Sequence, residues 1–152
     1  MHGPWQIEPL ATTVRLPDGS SHETNGQLPP PAKIILPNDW GKSLGHSFRG
    51  RVNFLRSFGC PSGLTNERIL LCVEKVDAWA TVHLNGAQLG KASLLTGPAS
   101  FEVTKLLTSR NQLRIEVELP EVNDASAPLP RPGRGDQPGG ILGEVRLELL
   151  SV

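Results

Sequence analysis

The chain contains no tyrosine; three tryptophans and four phenylalanines supply all of its aromatic rings. Any site that needs an aromatic face must be built on one of these few residues. Charge of one sign is also missing. Fifteen Lys and Arg balance fifteen Asp and Glu, so the formal net charge is zero. Electrostatic attraction therefore gives no reason to expect nucleic acid or an acidic membrane surface as a partner. No apolar run approaches the roughly 20 residues of a membrane-spanning helix. The opening Met-His-Gly-Pro-Trp-Gln-Ile-Glu has no charged head followed by an apolar core, so no signal peptide is read and the cytoplasm is the default expectation. The two cysteines permit one disulfide that nothing demands in a reducing compartment. Cys60 falls in a sequence that reads as loop, Phe-Gly-Cys-Pro-Ser-Gly, and Cys72 reads as a small core residue of an apolar strand. The four histidines (His2, His22, His46 and His83) show no Cys/His spacing of the kind metals need, so no metal and no cofactor is expected. Neither a Ser-His-Asp arrangement nor a Gly-x-Ser-x-Gly elbow is present.

What is abundant is punctuation: 16 glycines and 14 prolines interrupt the chain at short intervals. Short strands joined by turns follow, and with them an all-β sandwich or barrel. A chain of 152 residues buries roughly 70% of its unfolded surface without disulfides or metals, so residues 1–152 read as a single domain. Strands are expected over residues 5–10, 12–16, 33–36, 47–58, 69–73, 80–85, 88–92, 100–103, 112–119 and 145–152. Asn85-Gly86 closes an alternating strand and is a strong hairpin signal, because both central residues of a type I′ turn need φ > 0. Gly50 interrupts the inward row of its strand and marks a bulge or a close backbone approach. Thr104 is expected to N-cap one helical turn over residues 104–107. Residues 18–32 and 120–140 read as exposed loops. Leu113, Ile115, Val117 and Leu119 alternate with Arg114, Glu116 and Glu118, one face core and one wet. Val145, Leu147 and Leu149 are expected to point inward. Long connections and few tight hairpins favour a jelly-roll sandwich over a meander.

An ordered set of pieces carries a resemblance. Gly3-Pro4-Trp5 opens the chain and Trp40 follows an extended loop. Phe48-Arg49-Gly50-Arg51-Val52-Asn53-Phe54 comes next, then the run from Arg68 to Asp77, then Ala80 to Gly86 and Leu89-Gly90. Phe101 to Leu107, Asn111-Gln112-Leu113 and Gly139-Gly140-Ile141 complete the series. In this order they resemble the N-terminal sugar-binding domain of glycoside hydrolase family 2, the β-galactosidase, β-mannosidase and β-glucuronidase group. The resemblance implies a galactose-binding-like jelly roll. It also implies that the catalytic carboxylates belong to a separate barrel for which 152 residues leave no room, so a non-catalytic module is expected. The chain departs from the family after Gly90, where Lys91 to Pro98 carries no aromatic.

If carbohydrate is the partner, an aromatic face must cover the pyranose C–H surface and polar groups must meet its hydroxyls. Trp79, at a bend, and Trp40 are the candidate platforms, with Trp5 behind them, and His83 is a candidate polar neighbour. The plainer readings place Trp5 and Trp40 in the core and His83 on a solvated sheet face. The alternative partner is another protein, with the sandwich acting as an interaction or accessory domain; docking on a separate glycosidase is a third reading. Glu116 and Glu118 lie about 7 Å apart by strand geometry, but such alternation ordinarily only solvates a sheet. Arg134-Gly135-Asp136 reads as a chance adhesion tripeptide in a loop, and Asp124 with Asp136 lacks the spacing of a calcium loop.

Overall fold

The computed structural model describes residues 1–151. Its strands are β1 (Trp5–Arg15), β2 (Ser21–Thr24), β3 (Ala32–Ile34), β4 (Asn38–Asp39), β5 (Gly50–Gly59), β6 (Arg68–Val73), β7 (Val76–Asp77), β8 (Trp79–Leu84), β9 (Ala87–Ser93), β10 (Ala99–Glu102), β11 (Arg110–Leu119), β12 (Gly140–Ile141) and β13 (Val145–Leu150), with one helical turn, α1 (Gly41–Leu44). A seven-stranded sheet runs in the order β2-β1-β5-β11-β8-β9, with β3 also pairing β1. Two three-stranded sheets, β10-β6-β13 and β4-β12-β7, complete the structure. The pairs β1–β5, β5–β11 and β11–β8 join strands distant in sequence, all antiparallel. This is an all-β sandwich rather than a meander.

Period-two alternation makes the layers. In the large sheet Val52 and Phe54, Leu113 to Leu119 at odd positions, and Ala80, Val82 and Leu84 are buried. They meet Ile69, Leu71, Val73 and Val145 of the small sheet in one apolar cluster. The opposite face of the large sheet carries Arg51, Asn53, Arg114, Glu116, Glu118, Thr81 and His83. Each buried core side chain contributes roughly 1.5–3 kcal/mol of transfer free energy.

Several details differ from the sequence reading. The two expected strands 5–10 and 12–16 are one strand, β1, whose pairing with β5 shifts register between Pro9 and Ala11. Proline has no N–H to give the ladder, so an irregularity there continues the strand instead of ending it. Gly50 lies one pair beyond that irregularity, opposite Thr12, and a Cβ on it would lie 2.0 Å from the Ala11 carbonyl oxygen. The 18–32 segment is not all loop, because Ser21–Thr24 pairs with Thr12–Arg15. Thr104 does not cap a helix: residues 104–106 form a turn, and the Thr104 hydroxyl accepts the Ile69 N–H at 2.9 Å. Leu149, on the edge strand of its sheet, is 47% exposed and does not point inward.

The 120–140 segment is the largest correction. It is anchored rather than freely exposed. Arg131 donates to both carboxylate oxygens of the fully buried Asp77, each at 2.7 Å, and Arg134 donates to Oδ2 at 2.8 Å. The guanidinium groups also bond the carbonyls of Gly135, Gln137 and Pro138. A buried carboxylate is tolerated only when its oxygens are so satisfied. Arg134 is thereby engaged within the domain rather than presented as part of an adhesion tripeptide. Cys60 is exposed, Cys72 is buried, and both are free thiols.

Candidate functional site

Trp79 opens β8 on the wet face of the large sheet. Register places it directly opposite Glu118, which in turn faces Arg51. Asn85-Gly86 helps fix that register. Asn85 has φ 51° and Gly86 φ 85°, the left-handed pair a tight hairpin requires. The Asn85 amide also donates to the Leu106 carbonyl at 2.9 Å and to Asn111 Oδ1 at 3.0 Å, while its oxygen accepts the Gln112 N–H at 2.8 Å. The hairpin is thus bolted to the start of β11, which brings Glu116 and Glu118 beside Thr81 and Trp79.

Two clefts flank the indole, and both are lined by Trp79 and Glu118. The first, about 650 Å³, includes Thr13, Arg15, Ser20, Glu23 and Arg51. The second, about 450 Å³, includes Thr81, Lys91, Ser93, Thr96 and Glu116. Arg15 decides between them. Its guanidinium carbon lies 5.4 Å from the Trp79 ring centroid. Three of its N–H groups are held by the carbonyls of Gly19, Ala127 and Pro128. A cation–π contact of this kind occupies the indole on the side of the larger cleft. In the smaller cleft the half-buried ring has no such cover, and Ser93 and Thr96, hydroxyl to hydroxyl at 2.9 Å, close the turn at the rim.

The polar groups here are incompletely paired. The indole N–H donates to Glu118 Oε1 at 3.3 Å. Glu118 Oε2 and Thr13 Oγ1 are buried without a hydrogen-bond partner in the protein, although groups so buried are nearly always bonded. Arg51 is paired with Glu23.

The structure separates the residues singled out from sequence. Trp79 is half-buried at the divide between the clefts. His83 is on the same face two rungs further on and lines neither cleft. Its pKa is lowered from 6.5, first by burial and then by Arg114, with Glu116 opposing. Trp40 is fully buried, edge-on to Phe48 at 5.8 Å between ring centroids, with its N–H directed at the Phe48 carbonyl. It is a core residue and presents no face to solvent; Trp5 is equally buried. Arg15, Thr13, Ser93 and Thr96 were not singled out. The residues near Trp79 on other strands come together only through pairing, which no local motif announces. Among the described residues no three His, Cys, Asp or Glu side chains converge as metal ligands.

A sandwich with this strand order and wet-face cleft has the architecture of a galactose-binding-like domain. The chain belongs to the glycosyl hydrolase 2 galactose-binding domain-like family, whose profile matches residues 49–133. Solved structures agree on the fold. A β-glucuronidase of Bifidobacterium dentium, complexed with coumarin-3-O-glucuronide, is 25% identical with a TM-score of 0.61, over 78% of this chain and 19% of its own. A rhamnosidase from Novosphingobium sp. PP1Y is 19% identical with a TM-score of 0.64, over 97% and 14%. A Bacteroides uniformis β-glucuronidase is 21% identical with a TM-score of 0.62, over 95% and 18%. The chain therefore spans less than a quarter of the length of these structures, and the sandwich it forms includes no catalytic barrel. No curated protein matches it.

Proposed function

We propose that this domain is a non-catalytic carbohydrate-binding module whose ligand stacks on Trp79 from the smaller cleft. One observation carries this reading: a partly buried indole, with no cation stacked on that side, lines a cleft with Thr81, Lys91, Ser93, Thr96, Glu116 and Glu118. An apolar ring face beside convergent hydroxyls and carboxylates is the combination a pyranose requires. The fold shared with β-glucuronidases and a rhamnosidase supports a sugar as the ligand class.

The test is calorimetric titration with methyl β-galactoside, methyl β-mannoside and methyl β-glucuronide, repeated on Trp79→Ala. Millimolar binding by at least one sugar, lost in the variant, is expected. Silence from all three at millimolar ligand would sink the idea.

A second reading, docking on another protein such as a separate glycosidase, draws on the solvent-facing Leu149 and Leu150 at the end of β13, 47% and 39% exposed. Light scattering that shows a stable complex, lost in Leu149→Ser, would favour it.

A further inference from the structure

The smaller cleft has a property beyond its aromatic floor, which is its charge. Glu116 and Glu118 enter it from β11, and Lys91 is the one cation that lines it. Among the described residues neither carboxylate forms an ion pair. Glu118 is also half used: Oε1 takes the indole N–H, while Oε2 is buried with no partner in the protein. That oxygen is closed to solvent, so what Glu118 offers the cleft is its charge. An ammonium in the cleft is drawn to the two carboxylates, whereas a neutral hydroxyl gains nothing from their charge. A ligand carboxylate is repelled, because it meets two like charges in a partly desolvated site.

Resting on the sugar-binding reading above, we propose that this cleft selects its ligand by charge. It takes amino sugars bearing a free ammonium in preference to the neutral parent sugar, and it rejects uronates. The paired Arg51 and the carbonyl-held Arg15 lie in the other cleft, so neither offers a cation to a uronate stacked on the open side of Trp79.

A matched series isolates charge from shape: methyl β-galactosaminide, methyl β-galactoside and methyl β-galacturonide, titrated at pH 6.5 and low salt. Affinity is expected to fall in that order, with about tenfold between the first and last, the factor that 1.4 kcal/mol carries. Raising the salt should compress the order. Glu118→Gln keeps an oxygen for the indole N–H and should bring the three affinities together. Glu116→Gln, on the wet face, should do so in part, and it carries the test if the first variant fails to fold. A galacturonide that binds as tightly as the galactosaminide would overturn the charge selection and leave the sugar-binding reading standing. If the galacto series and the sugars of the previous section are all silent, both fall. A galacto series that is silent while a mannoside binds overturns only the selection proposed here.

Discussion

Trp40 and Trp79 are the same side chain in two opposite settings. Trp40 is sealed in the core, its ring against Phe48 and its N–H on a carbonyl. Trp79 stands at the edge of the core with its N–H on a carboxylate and a guanidinium over it. An indole whose polar atom is satisfied by backbone has no further requirement. An indole whose partner is a carboxylate with a second, unpaired oxygen is part of a surface with unfinished hydrogen bonding. The tryptophan itself does not distinguish a packing role from a recognition role. The polar groups around its nitrogen do.

The strongest break in this comparison comes from truncating each ring. Trp40→Ala removes a fully buried side chain and should cost about 3–5 kcal/mol. At roughly 2–4 °C per kcal/mol for a chain of this size, the melting temperature should fall on the order of 10 °C in a calorimetric scan. Trp79→Ala forfeits a cation–π contact of about 0.5–1 kcal/mol together with part of its packing, and should melt closer to the parent. If the two variants melt together, the distinction between a sealed and an open indole is wrong.

The next effect concerns what holds the open face in place. Asn111 is fully buried and polar. It accepts the Thr108 N–H and the Asn85 amide, and donates to the Thr108 and Phe58 carbonyls. Asn111→Ala leaves those groups unpaired, at about 1–3 kcal/mol for each that stays buried. Hydrogen exchange should show lost protection at Asn85 and Gln112 before it is lost at Val52 or Phe54. Uniform loss across the large sheet would mean that the network does not bolt the hairpin locally.

The two regions also differ in how legible they were. The sealed half follows from alternation, since residues 112–119 state their own inner and outer rows and the family-like pieces state their order. Asn85-Gly86 announced its turn, because only a few residue types accept positive φ. What it concealed is that the Asn85 side chain reaches across to β11. Arg131 and Arg134 sit in a Pro- and Gly-rich stretch that reads as surface, yet they are anchored at Asp77, more than fifty residues away. The cleft was half visible. Trp79 stood out by its position at a bend, whereas Arg15 and Glu118 become its neighbours only through the register of β8, β11 and β5 and the loops that Arg15 bridges. Long-range pairing is fixed by the global packing of strands, and composition carries little trace of it.

The smallest effect probes the far end of the open face, where His83 faces Arg114 across the β8–β11 ladder. Burial and that arginine depress its pKa below 6.5. The fold therefore favours neutral imidazole. Below 6.5 the unfolded chain takes up the proton first, so His83's contribution is fully present above that pH and is lost as pH falls through the lower folded value. The difference in stability between the parent and His83→Gln should accordingly shrink or reverse as the pH is lowered from 7.5 toward 5, measured by urea denaturation at each pH. A difference that is flat across this range would remove Arg114 and burial as influences on His83. Because His83 lines neither cleft, sugar affinity in the same variant should stay unchanged, which separates the ladder's electrostatics from the site around Trp79.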